Sequence, residues 1–115
     1  MREELDAGLR PVLSSDSFVS SLRPMETVSN AVRRRTREGG PIGAEQAVTL
    51  EEALRAHTID AAYALRMEDR IGSLAPGKLA DVVVLDADVA GLPAEGLAGV
   101  DAWLTMLDGE IVHRA

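Results

Sequence analysis

The chain has 115 residues, enough for one ordinary domain, and carries a net charge of −7. It has no cysteine, so disulfides, thiolate metal sites and a cysteine nucleophile are excluded, and its acidic balance disfavours binding to the phosphates of nucleic acids. No apolar run approaches the ~20 residues that cross a bilayer, and residues 1–6 are charged with no signal-peptide hydrophobic stretch, so we expect a cytoplasmic chain without membrane or nucleic-acid partners.

The composition limits the core that the chain can build. Aromatic residues make up only 3% of the sequence, so the core must be assembled from Ala, Val, Leu, Ile and Met. These side chains bury less area, and burial contributes about 25 cal/mol per Å² of apolar surface. We therefore expect a marginal core that gains from a partner.

The first half of the chain predicts a strand end followed by a helix. Residues 10–17 are a short apolar run that leads into small polar residues, which suits the end of a strand and a loop. Pro24 begins the helix, and residues 39–41 (Gly-Gly-Pro) end it near Glu38. The apolar face of this helix consists of Met25, Val28, Ala31 and Val32.

A second helix has the clearest local signal. Thr49 and Glu52 form a capping box, in which each side chain bonds a backbone N–H that the helix leaves unpaired. An apolar stripe then continues to Leu65. These features predict one helix over residues 50–65.

The next segment changes from helix to strand. Pro76-Gly77 suits a type II turn, because glycine accepts the positive φ that the turn requires. Residues 82–85 are β-formers without alternation, which predicts a strand covered on both faces. Residues 88–99 contain three glycines and one proline and predict a loop with a helical turn.

The last segment predicts a hairpin. Asp108-Gly109 favours the two-residue type I′ turn and lies between two runs of strand-forming residues, 103–107 and 110–113. The whole chain therefore predicts an α+β fold: a strand end, a loop, two helices and about three strands.

Three segments carry a family-specific pattern. The most specific is residues 72–86, which read G-S-L-x-P-G-K-x-A-D, three hydrophobic residues, L and D. The other two are residues 49–62 and residues 14–17 (Ser-Ser-Asp-Ser). Together they resemble the amidohydrolase superfamily of metal-dependent hydrolases. In that family the first segment matches the passage from the catalytic barrel into a small β-domain, the second a late helix and the third the end of the eighth barrel strand. Residues 33–36 (Arg-Arg-Arg-Thr) are most similar to the branch of N-acyl-amino-acid and N-substituted formamide hydrolases.

This resemblance implies a C-terminal fragment of a (β/α)₈ barrel enzyme. Residues 1–70 would supply the last barrel strand and helix and a further helix, and residues 71–115 the strands and hairpin of a small β-sandwich domain. The implied reaction is hydrolysis of a carbon–nitrogen bond in a small amide, formamide or cyclic amide, by a water that a divalent metal, expected to be zinc, activates. Asp16 matches the family carboxylate that ligates the metal and takes the proton, so it is the candidate catalytic and metal-binding residue.

The chain departs from the family pattern in its histidines. The family needs an early His-x-His pair and two later histidines, whereas this sequence contains only His57 and His113. We therefore expect the chain alone to hold no metal, to be inactive, and to self-associate or dock to the missing barrel portion. The alternative is a non-catalytic structural or self-associating module; a nucleic-acid regulator is disfavoured by the charge.

The remaining polar residues are given less specific roles. Ser20 and Arg23 follow Asp16 and are candidate substrate contacts in an intact enzyme. The alternative role for Asp16 is structural, because an aspartate in a loop can also turn the chain or cap a helix. Structural or solvent-facing roles are expected for His57, His113, Lys78, Asp81 and the basic run Arg33, Arg34, Arg35 and Arg37.

Overall fold

The computed structural model describes residues 1–36 and 38–115 as a group of helices beside a small sheet, an α+β fold. The helices are α1 (Arg2–Asp6), α2 (Pro24–Arg33), α3 (Leu50–His57) and α4 (Ile59–Ala64). Two 3₁₀ segments, Ala44–Gln46 and Ala94–Gly99, precede α3 and the second strand. The strands β1 (Val82–Leu85), β2 (Ala102–Leu107) and β3 (Glu110–Arg114) form an antiparallel sheet in the order β1-β2-β3.

Helix α3 begins at the predicted capping box, which is confirmed. The Glu52 N–H donates to Thr49 Oγ1 at 3.2 Å, and the Thr49 N–H donates to Glu52 Oε2 at 2.7 Å. Arg2 of α1, a helix that the sequence did not predict, donates through both terminal nitrogens to the same Glu52 carboxylate. These donors, first the Arg2 guanidinium and then the Thr49 N–H, lower the pKa of Glu52 from 4.5 to about 2.

This lowered pKa predicts an acid-sensitive contribution to stability. The folded pKa of Glu52 lies below its unfolded value, so the contribution is complete above pH 4.5 and is lost as the pH falls towards about 2. In Glu52→Gln the cap is kept and the charge removed. We expect the Tm of the variant, followed by circular dichroism, to fall less over this range than that of the parent. Parallel curves would show that the Arg2 contact contributes nothing.

Helix α2 ends earlier than predicted, at Arg33 rather than near Glu38. Arg34 takes the left-handed conformation, with φ of 48°, and its N–H bonds the Asn30 carbonyl at 2.9 Å. The chain then turns back, and the Thr36 N–H donates to the Gly40 carbonyl at 2.8 Å. The chain therefore forms this local turn instead of extending α2. Of the basic run, Arg37 lies outside the described residues.

The predicted helix over residues 50–65 is two helices that meet at Thr58. Thr58 has φ of −120° and ψ of −93°, outside the helical region, and its Oγ1 donates to the Leu54 carbonyl at 2.8 Å. Gly72 packs against this junction so closely that a Cβ there would lie 2.7 Å from Ala62 Cβ and 3.1 Å from the Thr58 carbonyl oxygen. A contact distant in sequence therefore accompanies the break, which the continuous apolar stripe concealed.

The turn predictions in the second half are confirmed. Gly77 has φ of 90° and the Lys78 N–H bonds the Ala75 carbonyl at 3.2 Å, as in a type II turn. Asp108 and Gly109 both have positive φ, 47° and 83°, as a type I′ turn requires. The loop with a helical turn over residues 88–99 is also confirmed, by the 3₁₀ segment.

The predicted cover on both faces of β1 is wrong. Val83 is 56% exposed and Val84 is also exposed. A valine run without alternation requires packing on both sides, and the described residues supply it only in part. The strand therefore presents apolar surface that would normally be buried.

Residues 10–17 do not form the predicted strand. Leu13 makes one main-chain bond in this segment, from its N–H to the Ala56 carbonyl at 3.2 Å. A strand needs a neighbouring strand, and the described residues provide none at this place. In the part of the chain that the structure describes, no helix is long and apolar enough to span a membrane.

The core is small and shared by both halves of the chain. It is formed by Met25, Val28, Ala31, Val48, Ala53, Leu97 and Val100. None of these is aromatic, whereas Phe18 is fully exposed and Tyr63 and Trp103 are about half exposed. The expected aliphatic core is confirmed, and many large apolar side chains are exposed outside it.

Candidate functional site

Asp16 lies in an exposed turn between residues 10–15 and α2. Its backbone is left-handed, with φ of 46°, which aspartate tolerates better than most residues. The Asp16 N–H donates to Ser14 Oγ at 3.3 Å, and its carbonyl accepts from the Val19 N–H at 2.7 Å. Backbone atoms of Asp16 thus hold the turn, and its exposed carboxylate is not needed for it.

The segment leading to Asp16 is attached to α4 by a buried carboxylate. Arg10 Nε lies 3.0 Å from Asp60 Oδ1, and the Arg10 guanidinium lies 4.3 Å from the centre of the Tyr63 ring. The Asp60 side chain is only 7% exposed, and Arg55 lies 3.8 Å from its Oδ1. The Arg10 N–H is not aimed along its contact, so this is an ion pair rather than a directed hydrogen bond.

Sequence reasoning missed this attachment. The partners are 50 positions apart, and Asp60 lies beside alanines of a helical stripe, where a carboxylate is unusual. An aspartate among buried positions was the available signal. The ion pair of Arg10 with Asp60 and the Leu13–Ala56 bond together fix the start of the segment that carries Asp16.

Ser20 and Arg23 do not act alike. Ser20 Oγ donates to the Ser15 carbonyl, across the turn that contains Asp16. Arg23 instead pairs with Asp101, Nη2 to Oδ1 at 2.8 Å, and this hydrogen bond raises the pKa of Arg23. Arg23 therefore joins the start of α2 to the residue before β2.

The histidines do not converge on Asp16. Among residues 1–36 and 38–115 no group of three or more His, Asp or Glu side chains is arranged to hold a metal ion. His113 is exposed on β3, as predicted. His57 is partly buried, its Nε2 has no hydrogen-bond partner among the described residues, and burial lowers its pKa below 6.5. Both histidines have the structural or solvent-facing positions expected of them.

The unpartnered His57 nitrogen predicts an unusual mutational result. A buried polar atom without a partner is unfavourable, so His57→Leu should not lower the free energy of unfolding and should raise it by up to about 1 kcal/mol. The folded pKa lies below the unfolded one, so the parent loses stability as the pH falls below 6.5, and the variant should not. Urea unfolding at two pH values measures both effects, with His113→Leu as the exposed control; a destabilised His57→Leu would contradict the assignment.

Lys78 and Asp81 have the structural roles predicted for them. Lys78 Nζ donates to the Glu68 carbonyl, to the Ser73 Oγ at 2.7 Å and to the Ile71 carbonyl at 3.4 Å. Asp81 Oδ1 accepts the Asp108 N–H at 2.9 Å and so joins the start of β1 to the hairpin turn. The most specific sequence motif therefore stabilises the segment that leads into β1 and its contact with the hairpin turn.

Comparison with known proteins identifies the family. A model of the Amidohydrolase family matches residues 1–113. The chain belongs to this family. It is 38% identical over 114 residues to an N-substituted formamide deformylase from Arthrobacter pascens, covering 99% of this chain and 21% of the relative. It is 37% identical over 93 residues to a 5-methylthioadenosine/S-adenosylhomocysteine deaminase from Symbiobacterium thermophilum, covering 73% of this chain and 20% of the relative.

A solved structure supports the same identification. The crystal structure of an amidohydrolase from Thermotoga maritima matches 96% of this chain and 24% of its own, with a TM-score of 0.70 and 28% identity. The predicted superfamily, and its branch near formamide deformylase, are confirmed. The chain spans about a fifth of the length of the curated relatives. Amidohydrolases are hydrolases that generally depend on a metal.

Proposed function

We propose that this chain is the C-terminal part of a metal-dependent amidohydrolase that hydrolyses the carbon–nitrogen bond of a small amide, formamide or cyclic amide. The observation that carries the proposal is the deformylase match over 99% of the chain. In this proposal residues 1–70 belong to the end of the barrel and residues 71–115 to the small β-domain. A cytoplasmic location remains part of the same proposal.

The residues present do not fit a complete metal site. A zinc site needs at least three protein ligands, and the described residues contain no such group. The other ligands would have to come from the rest of the amidohydrolase fold. We therefore propose that the isolated chain is inactive and that zinc, or another divalent metal, is bound only by the assembled enzyme.

Asp16 is the carboxylate that we propose this chain contributes. It is exposed, and it follows a segment fixed to α3 and α4 through Leu13 and Arg10. In barrel enzymes the active site lies at the C-terminal ends of the strands, where such a residue meets side chains from several other strands. The carboxylate is exposed and so accessible to a metal, and the anchored segment fixes its position, as this role requires.

A chimera tests the proposal. The matched 114-residue region of the deformylase is replaced by this chain, and hydrolysis of an N-substituted formamide is followed. We expect the chimera to be active and to lose activity on chelation, and the isolated chain to be inactive. Activity of the isolated chain that is lost on chelation, or a folded chimera without activity, would overturn the proposal.

A second candidate is a non-catalytic, self-associating module. The exposed apolar residues on β1 and β3, among them Val83 and Ile111, favour it, because such surface promotes association. Light scattering with size-exclusion chromatography separates the two. A stable metal-free dimer of the isolated chain, together with an inactive chimera, would favour the module.

A further inference from the structure

The loop that carries Asp16 exposes large apolar side chains. Phe18 is fully exposed, and Val19 and Leu22 are 82% and 75% exposed. Single apolar residues are ordinary on a protein surface, but three of them so close together in sequence form a patch, and exposed apolar patches mark binding surfaces. Asp16, the proposed reactive carboxylate, is only two residues from Phe18.

The backbone of this loop keeps Phe18 next to Asp16. The Asp16 carbonyl accepts the Val19 N–H at 2.7 Å, which closes a four-residue turn with Phe18 at one of its two central positions. The Ser20 hydroxyl donates to the Ser15 carbonyl across the base of the turn. The phenyl ring and the carboxylate are therefore presented by the same tight turn.

Ion pairs hold the loop on both sides. Before it, Arg10 Nε lies 3.0 Å from the buried Asp60 carboxylate. After it, Arg23 Nη2 lies 2.8 Å from Asp101 Oδ1. Since both ends are attached to other parts of the fold, the exposed ring belongs to an anchored loop and not to a free chain end.

The charges of the loop indicate which chemical group would pack there. Residues 14–22 contain no Lys, Arg or His, and their only charged side chain is that of Asp16. Arg23, the next cation along the chain, is paired with Asp101, and this hydrogen bond raises its pKa. An anionic group at this loop would therefore meet a carboxylate and a cation that is already paired. A neutral apolar group would instead be stabilised by contact with Phe18.

We propose that Phe18 is a specificity-determining residue, whose ring contacts a neutral apolar substituent on the nitrogen of the amide that is hydrolysed. The inference rests on the proposed function, because it takes Asp16 as the carboxylate at the reacting carbon–nitrogen bond. It narrows the substrate class to amides with an uncharged, apolar N-substituent. It also gives a role to a phenyl ring that otherwise exposes its whole surface to water.

Two formamides that differ only in the N-substituent test the contact. The deformylase chimera and its Phe18→Ala variant are compared on N-benzylformamide and N-methylformamide. We expect Phe18→Ala to lower kcat/KM for the benzyl compound by about 10- to 100-fold, and to leave that for the methyl compound within about twofold, because a methyl group has little surface to bury. An equal change for the two substrates would overturn the proposal.

Two further variants separate this contact from a structural role. Phe18→Leu keeps an apolar side chain and should retain kcat/KM for N-benzylformamide within about fivefold. Ile42→Ala removes an apolar side chain that is 52% exposed outside the loop, and it should leave both substrates within about twofold. If Phe18→Ala lowered the Tm of the chimera and reduced both activities alike, Phe18 would be a packing contact and the proposal would be wrong.

A matched pair of substrates tests the charge preference. N-formylphenylalanine carries a carboxylate that its amide derivative lacks, and the chimera should hydrolyse the amide derivative at least about tenfold faster, by kcat/KM. Phe18→Arg should reduce that preference, which locates it at this loop; an unchanged preference would count against the assignment. A folded chimera that hydrolyses none of these formamides would overturn the proposed function and this inference together. An active chimera whose substrate preference does not depend on Phe18 would overturn this inference alone.

Discussion

Replacing Asp16 with asparagine in the deformylase chimera is expected to lower kcat/KM for an N-substituted formamide by about 10²- to 10⁴-fold. An amide cannot take up a proton as a carboxylate does, and general acid–base catalysis contributes a factor of that size. Because the proposed role includes metal ligation, the metal content of the purified chimera should also fall. Steady-state kinetics and elemental analysis provide the two measurements.

This loss should occur without unfolding. The turn at Asp16 is held by bonds to its backbone and by Ser14 Oγ, and asparagine also tolerates the left-handed conformation. Asp69→Asn makes the same chemical change at another exposed position, and we expect it to leave kcat/KM within about twofold and the Tm unchanged. Retention of activity by Asp16→Asn would remove this residue from the mechanism.

Replacing Gly72 with alanine should destabilise the isolated chain by about 3 kcal/mol, a fall in Tm of roughly 10 °C. Gly72 has φ of 85°, which strains any residue with a Cβ. The added Cβ would also meet Ala62 Cβ at 2.7 Å and the Ile59 Cα at 3.0 Å. Backbone at the junction of α3 and α4 would have to move, and thermal unfolding by circular dichroism measures the cost.

Gly77→Ala is the matched control for this substitution. Gly77 has a similar φ of 90°, but a Cβ there would meet nothing within 4 Å. Its replacement should cost only the backbone strain, about 1 kcal/mol. The difference between the two variants isolates the close approach of Gly72 to the helices; equal costs would show that positive φ alone explains the glycine.

The parts of the fold that depend on neighbouring residues could be predicted from the sequence. The capping box of Thr49 and Glu52 and the turn at Asp108-Gly109 are set by two to four adjacent residues, and the structure contains both. The same is true of the type II turn that precedes Lys78. Turn and cap chemistry acts over a few residues and needs no knowledge of the tertiary structure.

Three of the failures depend on distant parts of the chain, whereas the early end of α2 comes from a local turn. Helical periodicity continues through Thr58, and the break there coincides with the approach of Gly72. The cover of β1 needs packing on both faces, which the described residues supply only in part, and the strand over residues 10–17 needs a neighbouring strand, which they do not supply. Periodicity shows which face of an element prefers burial but not whether a partner is present.

The candidate site could be predicted only in part. Asp16 was found by resemblance, and the structure shows it exposed in a turn, with its role still a proposal. The ion pair of Arg10 with Asp60, which fixes the start of its segment, joins residues 50 positions apart. A single sequence carries no signal that pairs two such charges.

The ion pair between Arg23 and Asp101 makes the contact between the start of α2 and the start of β2 sensitive to ionic strength. Both side chains are exposed, so surrounding ions weaken their attraction; the screening length is about 8 Å at physiological ionic strength and about 3 Å in molar salt. Concentrated salt should therefore loosen the connection between α2 and the start of β2 while it strengthens apolar association. Because an exposed ion pair contributes only about 0–1 kcal/mol, the effect of salt on the stability of this contact should be small.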